Sequence, residues 1–280
     1  MIPAPFDYDL AECVDHAIEL LGADPGAKLL AGGHSLVPAM KLRLARPTKL
    51  VDIGRLGDLT GVRDAGDRLA IGALTRHKDV AANPLLQEHC PLVSHTAAQI
   101  GDPQVRHRGT IGGSLSHGDP ASDLPAVMLV LDAELVAHGP DGERTIPAGA
   151  FFTGVFETAL GPADVLTEIR VPKLTAAAGW SYVKLQRRAQ DWATVAVAAV
   201  VDREGGKAAG AAIGLTNMGG TPLRASAAER AIAEGGTPAD AAAHMADGTD
   251  PSSDQAASAE FRRHLAQVLG RRALEEALAR

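Results

Sequence analysis

Two glycine turns are the stretches of this sequence best suited to chemistry. The first is Ala31-Gly32-Gly33-His34-Ser35 and the second is Thr110-Ile111-Gly112-Gly113-Ser114. Glycine lets a backbone approach a ligand closely and adopts positive φ without a Cβ penalty. Successive backbone N–H groups form a concavity that binds anions, and a following helix adds the positive end of its dipole. The two turns are therefore predicted to hold a diphosphate between them through unoccupied N–H groups.

The candidate phosphate-binding positions are residues with an amide or hydroxyl hydrogen to offer, namely Gly32, Gly33, Ser35, Thr110, Gly112 and Gly113. An ordinary strand-to-helix turn would account for either motif alone. Neither motif reads G-x-G-x-x-G or G-x-x-x-x-G-K-[ST], so a Rossmann site and a P-loop are both disfavoured. Arg106 and Arg108 precede the second turn, and we expect them to brace it rather than to bind phosphate.

The composition is that of an acidic globular chain. Its 280 residues are 46% hydrophobic, enough for large cores, and carry a formal net charge of −7. Lys and Arg form no stripe interleaved with aromatic residues, so nucleic-acid binding is not expected. Cys13 and Cys90 lie far apart in the sequence, which disfavours a cysteine-ligated cluster or zinc site and suits a reducing cytoplasm. No signal peptide and no apolar run of about 18–20 residues is found, so no transmembrane segment is predicted.

The turns need strands and helices to position them, and hydrophobic periodicity predicts these elements. A strand at 28–31 leads into the first turn and a helix at 35–44 follows it. Helices at 91–100 and 123–131 flank the second turn. Up to about residue 172, strands and helices are mixed throughout. The remaining predicted elements there are helices at 11–21 and 75–82 and strands at 50–53, 69–71, 134–137 and 144–146.

The order of elements changes after about residue 172. Three successive strands are predicted at 180–187, 194–202 and 208–216, with a hairpin at 204–207. From Leu223 onward the sequence predicts helices, the last of them over 258–279. Strands first and helices afterwards are typical of an α+β domain with an antiparallel sheet. The fold class predicted for the chain is therefore α+β.

Four stretches carry a resemblance to a known family. They read AGGHSLVPAMKLRLA at 31–45, IGDPQVRHRGTIGGSLSHGDPASDLPA at 100–126, KLQRRAQDWAT at 184–194 and IGLTN at 213–217. Together they resemble the FAD-binding medium subunits of molybdenum hydroxylases of the xanthine dehydrogenase family. The resemblance covers nearly the whole chain. Within the family it is greatest to subunits of complexes that oxidise carbon monoxide aerobically.

The resemblance implies a p-cresol-methylhydroxylase-type (PCMH-type) FAD-binding domain of two α/β subdomains, then a small domain with an antiparallel sheet and helices. These would be residues 1–175, with subdomains of about 1–56 and 57–175, and residues 176–280. FAD would be bound by this chain, [2Fe–2S] clusters by a small partner subunit and the molybdenum–pterin cofactor by a large one, in a dimer of heterotrimers. The chain would relay electrons from the clusters through FAD to an external acceptor. It would be cytoplasmic and would reach the inner face of the membrane only through the complex.

The resemblance also assigns residues around the flavin. Asp123 would face the ribityl or adenosine part of FAD, and Lys184 would place a cation near the ring, which stabilises the reduced form. Trp192 would cover the isoalloxazine or pack between the domains, at a position where a tyrosine is expected. No residue of this chain would act on the substrate or bind a metal. The full expected FAD-binding set is Leu29, Leu30, Ala31, Gly32, Gly33, His34, Ser35, Leu36, Thr110, Ile111, Gly112, Gly113, Ser114, Asp123, Lys184 and Trp192.

Other functions stay open on the sequence alone. A related complex could act on an N-heterocycle or an aldehyde instead of carbon monoxide. A self-sufficient FAD oxidoreductase is a further alternative, although the C-terminal domain shows no substrate-binding constellation. A scaffold that has lost its flavin is disfavoured by the two intact glycine turns. The acceptor could be a quinone, NAD or oxygen, and the lack of a dinucleotide fingerprint disfavours NAD.

Overall fold

The N-terminal part of the chain is built on a small parallel sheet. A computed structural model describes residues 2–280. The first sheet has the order β1-β3-β2, and both neighbouring pairs are parallel. Parallel neighbours need crossover connections, and the two helices of this region supply them. The elements are β1 (Asp7–Leu10), α1 (Val14–Ala23), β2 (Lys28–Leu30), α2 (Leu36–Lys41) and β3 (Lys49–Asp52).

The middle of the chain forms a five-stranded antiparallel sheet in the order β4-β5-β10-β6-β7. Its strands are β4 (Val62–Asp64), β5 (Arg68–Gly72), β6 (Glu134–Gly139), β7 (Gly142–Pro147) and β10 (Val165–Pro172). Between β5 and β6 lie α3 (His77–Ala82), α4 (Pro84–His89), α5 (Pro91–Ala98), α6 (Pro103–Arg108), α7 (Ile111–His117) and α8 (Asp123–Val130). Between β7 and β10 lie α9 (Ala148–Phe151), β8 (Phe152–Gly154) and β9 (Glu157–Thr158).

Helix α8 is the central element of the largest hydrophobic core. All eight of its residues are buried, because the helix lies between two sheets. Leu124, Val127 and Met128 pack in one core with Ile169 of the five-stranded sheet and Ala196 of the sheet that follows. This packing fixes the position of Asp123, the first residue of the helix.

The C-terminal part is a four-stranded antiparallel sheet, β11-β12-β13-β14, with helices on it. Helix α12 covers β11 and β12, while α8 reaches the other face, where Gly214 leaves room for the Ala126 carbonyl. No helix within residues 2–280 is long and apolar enough to span a membrane. The elements are β11 (Ala178–Leu185), β12 (Val195–Glu204), β13 (Lys207–Thr216), β14 (Leu223–Arg224), α10 (Ser226–Ala233), α11 (Pro238–Ala243) and α12 (Ala259–Ala279).

The predicted fold class, α+β, is confirmed, but several elements differ from expectation. Helices do not begin at Leu223, because Leu223 and Arg224 first pair with β13 as a short strand. The helix predicted at 35–44 is shorter, Leu36–Lys41, because the chain reverses after Leu42. Strands β1, β4 and β10 were not predicted.

Candidate functional site

The first glycine turn presents a row of free hydrogen-bond donors. It connects β2, which contains Leu29 and Leu30, to α2, which begins at Leu36. The backbone N–H groups of residues 32–35 have no acceptor within residues 2–280, whereas the carbonyls of Gly33 and Ser35 accept hydrogen bonds from the helix. Gly33 has φ +74°, a conformation that glycine adopts most readily. Four consecutive donors are therefore available to an anion.

The second glycine turn differs from expectation because its N–H groups already donate to acceptors within the chain. The N–H of Gly112 donates to the Ala73 carbonyl at 2.8 Å and that of Ile111 to the Thr75 carbonyl at 3.0 Å. Thr110 caps α7, and its hydroxyl accepts from the Gly113 N–H at 3.2 Å. The prediction of a second row of free N–H groups is therefore wrong. This turn still offers an exposed Gly113 and the Ser114 hydroxyl, which has no partner within residues 2–280.

The two turns lie side by side in the structure. A Cβ atom on Gly32 would clash with the Arg108 carbonyl, and one on Gly113 would lie 4.0 Å from the Ala31 Cβ. A Cβ on Gly112 would lie 2.5 Å from the Ala73 Cβ. Glycine is thus required at 32 and 112 for backbone packing, and this packing brings the second turn against the first.

The predicted residues Asp123 and Lys184 form a buried ion pair. Lys184 Nζ lies 3.0 Å from Asp123 Oδ2, and both side chains are almost fully buried. The Tyr182 hydroxyl donates to Asp123 Oδ1 at 2.6 Å. Burial raises the pKa of the Asp123 carboxyl, and the Lys184 charge and the hydrogen bonds from Tyr182 and Lys184 oppose this rise. Both oxygens of Asp123 are therefore engaged by protein donors.

A cleft of about 320 Å³ opens beside this ion pair. The Gln99 carbonyl lies 3.5 Å from Lys184 Nζ, and Gln99 also lines the cleft. Trp192 is 53% exposed and belongs to the same connection between β11 and β12 that borders the cleft. The lining residues are Ala98, Gln99, Gly101, Asp102, Pro103, Arg106, Gln186, Ala189 and Gln190.

Helix α6 connects the cleft to the glycine turns. Its first residue, Pro103, lines the cleft, and the carbonyl of its last residue, Arg108, packs against Gly32. A six-residue helix is roughly 9 Å long. Arg106 donates to the carbonyls of Ile100 and Gly101 at 2.9 and 3.1 Å. Its role is structural, as expected, but it braces the loop before α6 and not the second glycine turn.

His77 is a site residue that the sequence did not indicate. Its Nδ1 is buried without a hydrogen-bond partner within residues 2–280, and its ring packs against Gly109, directly before the second turn. Burial lowers the pKa of His77 to about 4, and the charges of Arg106 and His34 contribute. No motif surrounds this residue, and only its position after β5 could have drawn attention to it.

The remaining predicted residues are placed as follows. His34 is exposed, and its Nδ1 lies 3.2 Å from the Gly32 carbonyl, so the side chain folds back on its own turn. Ile111 is fully buried and anchors α7 in the core. The structure thus brings together the two glycine turns at one place and Asp123 with Lys184 at another.

Comparison with known proteins defines the family. The model for the FAD binding domain in molybdopterin dehydrogenase matches residues 4–174. The chain belongs to this family. A second model, for the CO dehydrogenase flavoprotein C-terminal domain, matches residues 180–277. FAD is thus the cofactor of this flavoprotein, which is an oxidoreductase subunit.

Three relatives of the flavoprotein match it over nearly their whole length. The carbon monoxide dehydrogenase medium chain of Afipia carboxidovorans is 43% identical and covers 100% of this chain and 99% of its own length. The 6-hydroxypseudooxynicotine dehydrogenase complex subunit alpha of Paenarthrobacter nicotinovorans is 39% identical, with 100% and 97% covered. The solved carbon monoxide dehydrogenase of Hydrogenophaga pseudoflava that lacks the Mo-pyranopterin moiety of its molybdenum cofactor superposes with a TM-score of 0.97 at 43% identity, covering 100% and 99%.

Proposed function

We propose that this flavoprotein holds FAD at its paired glycine turns and relays electrons within a molybdenum-containing hydroxylase, foremost an aerobic carbon monoxide dehydrogenase. A small partner subunit with [2Fe–2S] clusters would supply the electrons, and a large subunit would carry the molybdenum–pterin cofactor. The observation that carries the proposal is the row of four free N–H donors at residues 32–35 beside the second turn. Such a row suits a diphosphate, because each N–H can donate to one oxygen.

The residues of this chain bind and orient the cofactor in the proposed function. The N–H groups of residues 32–35 would donate to the diphosphate, and the Ser114 hydroxyl of the neighbouring turn would supply a further donor. Helix α6 leads from the turns to the cleft at Gln99, where the ring would lie near Trp192. Bound there, FAD supplies reversible uptake of electrons. No residue of this chain acts on the substrate of the complex.

Lys184 and Asp123 are proposed to act as a unit. Lys184 lies behind the cleft wall, with its Nζ 3.5 Å from the carbonyl of the lining residue Gln99. A cation beside a flavin favours the reduced form. Asp123 holds this ammonium group at 3.0 Å and is itself held by Tyr182. Asp123 is thus a positioning residue that acts through Lys184, whereas the family resemblance implied that it faces the ribityl or adenosine part of FAD.

The domain division at residue 175 and the assembly as a dimer of heterotrimers are part of this proposal. The relationship to a carbon monoxide dehydrogenase medium chain at 43% identity supports carbon monoxide as the substrate of the complex. An N-heterocycle is the second candidate, because a relative at 39% identity belongs to a dehydrogenase complex named for 6-hydroxypseudooxynicotine.

The visible spectrum of the gently purified native complex tests the proposal. We expect flavin bands overlapped by iron–sulfur absorption, and two polypeptides that co-purify with the tagged chain. Anaerobic addition of carbon monoxide should bleach both sets of bands, while N-heterocycles and aldehydes should not. Bleaching by an N-heterocycle alone would select the second candidate. A complex with both partners but without flavin would overturn the electron-relay function.

A further inference from the structure

The end of helix α2 carries an unusual turn with two leucines in solvent. Leu42 is 58% exposed and Leu44 is 80% exposed. The Arg43 N–H donates to the Met40 carbonyl at 3.0 Å and the Leu44 N–H to the Ala39 carbonyl at 2.9 Å. These two bonds define a Schellman motif, in which the apolar residue at the Leu44 position usually packs back on the helix. Here that side chain projects into solvent instead.

Arg43 occupies the left-handed position of this motif. Its φ is +60°, where glycine is the preferred residue because it has no Cβ. Arg46 donates to the Arg43 carbonyl at 3.3 Å, which further fixes the turn. The turn is thus a rigid projection that keeps an arginine where glycine would be more stable, and a conformational cost of this kind is often retained at functional sites.

The same turn concentrates positive charge on an acidic chain. Lys41, Arg43 and Arg46 are exposed, and none of them forms an ion pair within residues 2–280, although the chain carries a net charge of −7. Unpaired cations around apolar side chains complement an apolar pocket bordered by carboxylates.

We propose that residues 41–46, the basic leucine turn, dock this chain onto a partner subunit of its complex. The partner would offer an apolar pocket for Leu42 and Leu44 and carboxylates for the three cations. The inference rests on the proposed function, which supplies the partners. A protein surface is favoured over an anionic membrane, because the net charge of −7 repels such a membrane. The turn lies only the length of α2, roughly 9 Å, from the first glycine turn, so the partner would dock close to the cofactor.

The test compares paired variants in the native complex. Leu42→Ser with Leu44→Ser removes the two leucines, and Val155→Ser with Phe261→Ser is the control, because these residues are also exposed and lie elsewhere. The chain is purified through a tag from its native host, and iron and molybdenum are measured per chain. We expect at least a tenfold loss of one or both metals in the first variant and none in the control, with the thermal midpoint of the isolated chain unchanged in both.

A charge variant separates docking from folding. Arg43→Gly relieves the left-handed conformation and removes one cation. We expect it to raise the thermal midpoint of the chain while lowering metal retention severalfold at low salt, with the difference from the wild type shrinking as salt screens the charge. A purely structural turn would raise the midpoint and leave metal retention unchanged.

The possible failures are distinguishable. Full metal retention in both turn variants would overturn the docking role and leave the proposed function intact. Wild-type chain that recovers no iron or molybdenum would overturn the proposed function and the inference with it. Loss of binding to vesicles of anionic lipid, or of self-association, with metals retained would assign the turn to a membrane or a second copy and overturn docking onto a partner subunit.

Discussion

At the residue scale, the backbone angle of Gly33 allows a test of the proposed FAD site. Its φ of +74° has a close match at Gly248, with φ +73°, so alanine at either position has a similar conformational cost of about 1–2 kcal/mol. Only at 33 would the new Cβ also press on Leu30 and Val37, at 3.3 Å, and shift the free N–H groups. We expect Gly33→Ala to lose most of its FAD and Gly248→Ala to retain it, as measured by flavin absorbance per chain. Equal flavin content in both variants would refute the role of the first turn.

His77 makes the stability of the chain depend on pH. Burial lowers its pKa to about 4, while an unfolded histidine has a pKa of about 6.5. Between these values the unfolded chain binds a proton that the native chain does not, so stability falls as the pH falls. The full difference between these two pKa values corresponds to about 3 kcal/mol of unfolding free energy. In His77→Gln we expect the loss of unfolding free energy between pH 7 and pH 4 to be smaller by about this amount.

Urea unfolding at the two pH values measures this difference. His264→Gln is the control, because His264 is an exposed residue of α12, and its pH dependence should follow the wild type. If the unfolding free energy of His77→Gln fell between pH 7 and pH 4 as much as that of the wild type, the buried imidazole would not be the cause of the acid sensitivity.

At the scale of elements, helix α12 is held by a buried arginine. Arg262 donates to the carbonyls of Thr194 and Ser252 and pairs with Asp254 at 2.7 Å. Arg262→Met would keep the side-chain volume but leave these acceptors unpaired, and such loss costs about 1–3 kcal/mol for each buried group. We expect a loss of about 2–4 kcal/mol in urea unfolding. Arg263→Met, on the exposed face, should change stability by less than about 0.5 kcal/mol.

The elements that sequence could predict are those with strong local signals. Strands β11 to β13 are apolar, β12 and β13 are joined by a glycine hairpin, and the predicted positions of all three agree closely with the structure. Strand β10 escaped prediction because Glu168, on its open face, pairs with Arg63 and Arg170, which weakens the apolar pattern. Strand β14 has two residues and exists only through its pairing with β13.

Only those parts of the candidate site that have local sequence signals could be predicted. The glycine turns are local motifs, so their positions were visible in the sequence. The acceptors that occupy the second turn, Ala73 and Thr75, come from a distant segment and could not be inferred. The contact of Asp123 with Tyr182 likewise joins two separate parts of the chain.

At the scale of the whole molecule, Asp123 of α8 joins the C-terminal sheet through its buried contacts with Tyr182 and Lys184 of β11. Removing one partner of a buried ion pair leaves the other charge uncompensated and costs about 3–5 kcal/mol. We therefore expect Asp123→Ala to lose about that much stability, and Tyr182→Phe, which removes one donor, to lose about 1–3 kcal/mol. Urea unfolding of the isolated chain measures both. The double variant should lose less than the sum, and strict additivity would contradict a shared network.

The close approach of Gly214 to the Ala126 carbonyl has a consequence for recombining this chain with its relatives. Residues 123–130 lie in the middle of the chain, before the proposed boundary at residue 175, yet they pack on strands that follow it. Arg224 donates to the Leu129 carbonyl at 3.1 Å. A chimera that exchanges only residues 176–280 would therefore join mismatched halves of one interface. Exchanging residues 123–130 together with residues 178–224 would keep this interface matched, whereas a crossover at the boundary between the two family models would divide it. The exchanged helix would still have to fit the five-stranded sheet on its other face.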